Sequence, residues 1–154
     1  MMVADVIIHD LKWEGVNGLS TLIKKAMHGT NNIFDDEDCC PLSVTFTLMN
    51  DPEIQTLNKN FRQKDKPTNV LSFPDGEPDD NGRLHLGDIA IAFETLTRES
   101  KEQDISFKNH LSHLIVHGLL HLYGYDHEDD SEADEMESLE IEILKDMGIK
   151  NPYI

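Results

Sequence analysis

The chain is poor in cysteine, in positive charge and in long apolar runs, and each shortage closes off a class of protein. Only two of its 154 residues are cysteine, the adjacent Cys39 and Cys40. Neighbours in sequence do not easily meet disulfide geometry with each other, so no disulfide framework is available. No second cysteine pair exists to complete a thiolate metal site, and two free thiols in a reducing cytoplasm are expected. No uncharged apolar run approaches the roughly 20 residues that a membrane span needs. Met1–Asp10 lacks the basic start and apolar core of a signal peptide. Internal repeats and low-complexity linkers are missing as well, so one domain over residues 1–154 is expected. Basic residues number 13 against 30 acidic ones, a formal charge of −17, which argues at first sight against a nucleic-acid partner.

What is present has the balance of a globular chain, with 38% hydrophobic and 28% charged residues. Val3–His9 reads as a strand. Gly15–His28 carries Val16, Leu19, Leu22, Ile23 and Ala26 at helical spacing, and Asn31–Pro41 reads as an acidic loop. Ser43–Met49 alternates with period two. Asn50-Asp51-Pro52-Glu53 is a helix start whose helix should turn Ile54, Leu57 and Phe61 inward. Val70–Phe73 reads as a strand closed by Pro74, and Leu86–Phe93 as another. Helices are expected from about Glu94, over 106–123 and over 131–147. Strands interspersed with helices predict an α+β or α/β chain.

The most informative stretch runs from His117 to His127. His117 and His121 lie four apart on an expected helix, so both imidazoles leave one face a turn apart. Gly124 can end the helix in a left-handed conformation and let the chain bring His127 to the same point. Three imidazoles with an open fourth position make the ligand set of a catalytic zinc. The spacing also matches the peptidase signature H-E-x-x-H-x-x-G-x-x-H, but Gly118 replaces the glutamate that serves those enzymes as general base. His110 and His113 are set aside as non-ligands, because 117, 121 and 127 already complete a site.

With those residues in view, the sequence resembles the YbeY family of single-strand-specific metallo-endoribonucleases, which act in ribosomal RNA maturation and ribosome quality control. Three blocks carry the resemblance: Leu57–Arg62 with Pro67–Pro74, Leu86–Ile89, and His113–His127 with Glu132–Met136 and Glu140–Leu144. One departure stands out, since the family usually has aspartate where this chain has Asn69. The resemblance implies an α+β fold, a small mixed sheet packed against helices with a zincin-like HxxxHxxxxxH metal helix. It implies one Zn²⁺ per chain on His117, His121 and His127, and a functional role for Arg62. It also implies single-stranded or ribosomal RNA as substrate, with the ribosome or a ribosome-associated protein as partner. Neither membrane nor DNA is expected, and the location is the cytoplasm.

For phosphodiester cleavage, such a zinc can lower the pKa of bound water toward about 7 and polarise a phosphoryl oxygen. A planar guanidinium suits the equatorial oxygens, which assigns Arg62 the catalytic part. No general base is identified. Asp88 and Asp126 could orient an imidazole or could cap turns. The competing readings are a metal-dependent peptidase or amidohydrolase, weakened by Gly118, and a non-catalytic zinc-containing assembly factor. Sorting the acids by position softens the charge objection. Asp35–Asp38, Asp75–Asp80 and Asp126–Glu142 hold 18 acids and no Lys or Arg, which leaves 12 acids against all 13 bases. Lys59, Arg62, Lys64 and Lys66 form a local cluster able to engage a phosphate backbone. Binding to naked RNA is then expected to be weak and salt-sensitive.

Overall fold

The period-two run near residue 45 forms a strand because its alternate side chains, Val44, Phe46 and Leu48, are all fully buried. The computed structural model describes residues 2–34 and 42–154. Cys39, Cys40 and the acidic run Asp35–Asp38 lie outside the described residues. The elements run β1 (Met2–Ile8), a 3-10 turn (Leu11–Gly15), α1 (Leu19–Phe34), β2 (Leu42–Met49) and α2 (Asp51–Arg62). There follow β3 (Val70–Pro78), β4 (Leu84–Ala92), α3 (Phe93–Glu102), α4 (Phe107–Leu122) and α5 (Asp130–Asp146). The chain is α+β, as expected. The sheet order is β1-β2-β4-β3, with β1, β2 and β4 parallel and β3 antiparallel to β4, so β3 is an edge strand.

The sheet separates two cores by simple alternation. Ile89 and Ile91 of β4 face the larger core with α1, α4 and α5, while Ala90 and Ala92 face a smaller one with Ile54 of α2 and Leu71 of β3. Helix α4 is the centre of the larger core, with Leu111, Ile115, Val116, Leu119 and Leu120 fully buried. Two glycines permit its close seat. A Cβ on Gly118 would stand 3.1 Å from Ile89 and 3.2 Å from the Ser72 hydroxyl. Gly87 (φ +152°) lies where the β3–β4 register shifts, and a Cβ there would meet the Phe73 carbonyl at 2.3 Å and Leu122 at 2.8 Å.

Several expectations need correction. Helix α1 begins at Leu19 and runs on to Phe34, so residues 31–34 are helix and not loop. Strand β3 does not stop at Pro74. As an edge strand it tolerates a residue without an N–H, shifts register and continues to Pro78. Ile54 is buried and Leu57 partly so, but Phe61 is 62% exposed. Phe61, in the last turn of α2, stands edge-on to Phe73 of β3, a contact that leaves most of its ring in solvent.

Candidate metal centre and cleft

Ser106 caps the start of α4 by accepting the Asn109 N–H, and the helix ends at Leu122. Gly124, at φ +97°, reverses the chain, and the Tyr125 N–H returns to the Leu120 carbonyl at 3.0 Å. The turn brings His127 beside the two helical imidazoles. One ring nitrogen from each of His117, His121 and His127 lies within 4.8 Å of the others. The Nε2 atoms of His117 and His121 are 3.0 Å apart.

The outer nitrogens explain why the inner ones converge. His117 Nδ1 is 2.7 Å from Glu140 Oε1, and His121 Nδ1 is 2.9 Å from the Tyr125 carbonyl. A carboxylate and a carbonyl can only accept, so each Nδ1 carries the proton and donates it. With the proton on Nδ1, the neutral form of each ring turns its Nε2 lone pair inward. Two lone pairs at 3.0 Å repel each other unless a cation or proton stands between them. Burial, followed by the neighbouring His117, holds the His121 pKa below its ordinary value, which favours the neutral, ligating form. The donor set fits a borderline-soft divalent metal with an open position toward solvent.

Glu140 is the residue to which sequence reasoning gave no role: it stood in the block Glu140–Leu144 and was otherwise counted with the acids of the Asp126–Glu142 run. Its side chain is 1% exposed. Burial alone would raise its pKa, but hydrogen bonds from His113 and His117, the His113 charge and the Tyr153 hydroxyl bring it down to about 2. Tyr153 donates to Oε2 at 2.7 Å, and the His113 ring nitrogen bonds the same oxygen. The signal was present: Glu140 falls in the buried stripe Met136, Glu140, Ile143, Leu144 of α5, and a carboxylate in an apolar stripe needs partners. Of the two aspartates read as orienting an imidazole or capping a turn, one does the second, and the other faces an imidazole outside the cluster. Asp126 caps the turn through the His127 N–H at 2.7 Å, and Asp88 lies 3.5 Å from His85.

The histidines open on a cleft of about 700 Å³ bordered by the β3 edge, the end of α2 and the loop after it. Arg62, Lys64 and Lys66 line it, as do Asn69 and Asp126. Arg62 reaches the strand edge and donates from Nη2 to the Ser72 carbonyl at 2.8 Å. Gln63, at φ +56°, ends α2, and buried Asn58 holds the following loop by bonding the Lys66 carbonyl at 2.9 Å. Lys59 is not among the lining residues; it lies 4.0 Å from Asp65. Asn69 donates to Glu99 at 2.9 Å and accepts the Val70 N–H at 2.7 Å, so its amide serves a turn and a cross-link to α3.

A four-stranded sheet carrying a histidine helix, with a third histidine returned by a glycine turn, defines an α+β protein of zincin-like build. The solution structure of TM1509 from Thermotoga maritima is similar, with a TM-score of 0.58 at 25% identity over 95% of this chain and 92% of that one. The family model described as Endoribonuclease YbeY matches residues 9–148, and the chain belongs to that family. Relatives named Endoribonuclease YbeY include that of Nitrobacter winogradskyi, 46% identical over 98% of this chain and 82% of its own. Another, from Bradyrhizobium sp. strain BTAi1, is 47% identical over 97% and 90%. A third, from Francisella philomiragia, is 49% identical over 79% and 80%. No helix among the described residues is long and apolar enough to cross a membrane.

Proposed function

We propose that this endoribonuclease depends on zinc held by His117, His121 and His127, and that it cuts single-stranded ribosomal RNA during ribosome maturation and quality control. The reading places it in the cytoplasm, with the ribosome or a ribosome-associated protein as partner. The observation that carries it is one cleft holding both the three converging imidazoles and the Arg62 guanidinium. Zinc bound there would supply an activated water and a Lewis acid for a phosphoryl oxygen.

The rest of the chemistry belongs to the chain. Glu140 and the Tyr125 carbonyl keep the protons on the outer nitrogens of His117 and His121. Arg62 uses Nη2 on the Ser72 carbonyl, which fixes the guanidinium plane at the strand edge. Its remaining N–H groups have no hydrogen-bond partner among the described residues and are available to phosphoryl oxygens, where charge develops. Lys64 and Lys66 line the same cleft and would hold the flanking backbone. Lys59 would act from outside it. A peptidase reading is weakened further by Gly118, whose missing side chain is required for α4 to seat on Ile89 and Ser72.

The test combines metal analysis with RNA cleavage. Arg62→Glu is expected to keep the metal content of the parent and lose cleavage of single-stranded RNA. Unchanged cleavage would remove Arg62 from the mechanism. Hydrolysis of peptides with none of RNA would favour the peptidase, and full ribosome maturation by a metal-free, folded His121→Ala protein would favour the assembly factor.

A further inference from the structure

We propose that Phe61 is a stacking platform for one unpaired nucleobase of the RNA, placed just outside the cleft beside Arg62. The inference rests on the endoribonuclease reading and extends it to a base-binding subsite. A phenylalanine 62% exposed at the end of an amphipathic helix loses apolar burial that its neighbours Ile54 and Leu57 obtain. The ring is nevertheless held in place. It stands edge-on to Phe73 of β3, with ring centroids 5.5 Å apart and planes at 67°. Phe73 in turn carries the Arg62 guanidinium, 5.8 Å from its ring centroid.

These contacts set a sequence of chemistries across the β3 edge. The imidazoles come first, then Arg62 on the Ser72 carbonyl, then Phe73 and the outward Phe61. Cations that suit phosphates beside an aromatic face that suits a base make the usual construction of a single-strand track. The flanking charge argues for nucleic acid over a protein partner, since Arg62, Lys64 and Lys66 border the cleft beside it. In a duplex both faces of each base are already stacked, so an exposed ring can take only a base that is unpaired. Phe61 would thereby favour single strands on an otherwise acidic protein.

The full chain, stripped of metal with EDTA so that nothing is cut, is titrated at low salt with a fluorescein-labelled oligoadenylate, single-stranded or annealed to its complement. Phe61→Ala is expected to weaken single-strand binding by about tenfold, within the range of one lost base stack, and to leave duplex binding as it was. Phe61→Tyr should restore the parent affinity and Phe61→Leu should not, because leucine keeps the apolar bulk without the π face. Lys64→Gln should lower both affinities. Equal loss for single strand and duplex, rescue by leucine, or no measurable single-strand binding by the parent would each overturn the proposal. Unchanged binding by Phe61→Ala would also overturn it. Cleavage is assayed separately with metal restored. Stacking without cleavage would reject the nuclease reading alone, and cleavage with unaltered Phe61→Ala binding would reject the platform alone.

Discussion

Helix α4 carries two pairs of histidines, one three residues apart and the other four, and only the second joins His127 in a cluster that could hold a metal ion. His110 and His113 direct Nε2 at carboxylates, Glu99 at 2.9 Å and Glu140 respectively. His117 and His121 give Nδ1 to their acceptors and leave both Nε2 atoms facing each other. Residue type and helix are shared. What separates the two pairs is which nitrogen meets the acceptor, since that fixes where the lone pair points. Glu140 makes the contrast sharpest, because one carboxylate bonds His113 through Oε2 and His117 through Oε1.

The largest test of that contrast removes a member of each pair. His121→Ala is expected to take bound zinc from stoichiometric to background, because two imidazoles no longer close the site. His110→Gln should keep the metal, since its ring serves Glu99 and has no part in the cluster. Metal content by mass spectrometry of the intact folded proteins decides between them. Equal metal loss in both would show that α4 needs all its histidines for the centre, and the distinction between the pairs would fall.

A smaller effect is expected at the residue the two pairs share. Glu140→Gln keeps the shape but offers one accepting oxygen and one N–H₂ group where two ring N–H donors converge. One of the histidines must then face a donor. Zinc affinity, measured by competition with a chromogenic chelator, is expected to fall by about 10- to 100-fold. Tyr153→Phe removes only the hydroxyl's bond to Oε2 and should shift the affinity far less. An unaltered zinc affinity in Glu140→Gln would mean that the carboxylate serves packing alone.

Periodicity made much of this molecule readable, and it failed at the last turn of α2 and along the edge strand β3. The period-two run was read as a strand and the stretch 106–123 as a helix, and both form, because Val44, Phe46 and Leu48 of β2 and the apolar side chains of α4 meet in one core. Phe61 obeys the same helical spacing as Ile54 and Leu57, but it meets the sheet through the edge of Phe73 and stays 62% exposed. Pro74 is a sound strand terminator for a central strand, and β3 is an edge. The three histidines and Arg62 were legible from spacing and from the family blocks, and the cleft brings them together. Glu140 was not, because a charge count treats every acid as solvated, while its position in the α5 stripe buries it.

The family's usual aspartate at position 69 offers the gentlest test, and it falls on the outer histidine pair. The Asn69 amide donates to Glu99 Oε1 at 2.9 Å, and His110 Nε2 meets the same oxygen at 2.9 Å. Asn69→Asp would replace the donor by a second carboxylate, leaving two like charges in contact in a partly buried site. At an effective dielectric between protein and water, and discounted for solvent screening, the cost is about 1 kcal/mol at neutral pH. Repulsion from Glu99 raises the pKa of the introduced carboxyl, so the folded state holds a proton that the unfolded chain has already released. The deficit is therefore full above the raised pKa and shrinks as pH falls toward the ordinary carboxylate range. Once protonated, the introduced carboxyl could donate its O–H to Glu99 much as the amide does. Urea unfolding of both proteins at pH 7 and near pH 4 should show the gap narrowing at the lower pH. A gap of the same size at both would place the role of Asn69 in its turn with Val70, leaving the Glu99 contact without weight.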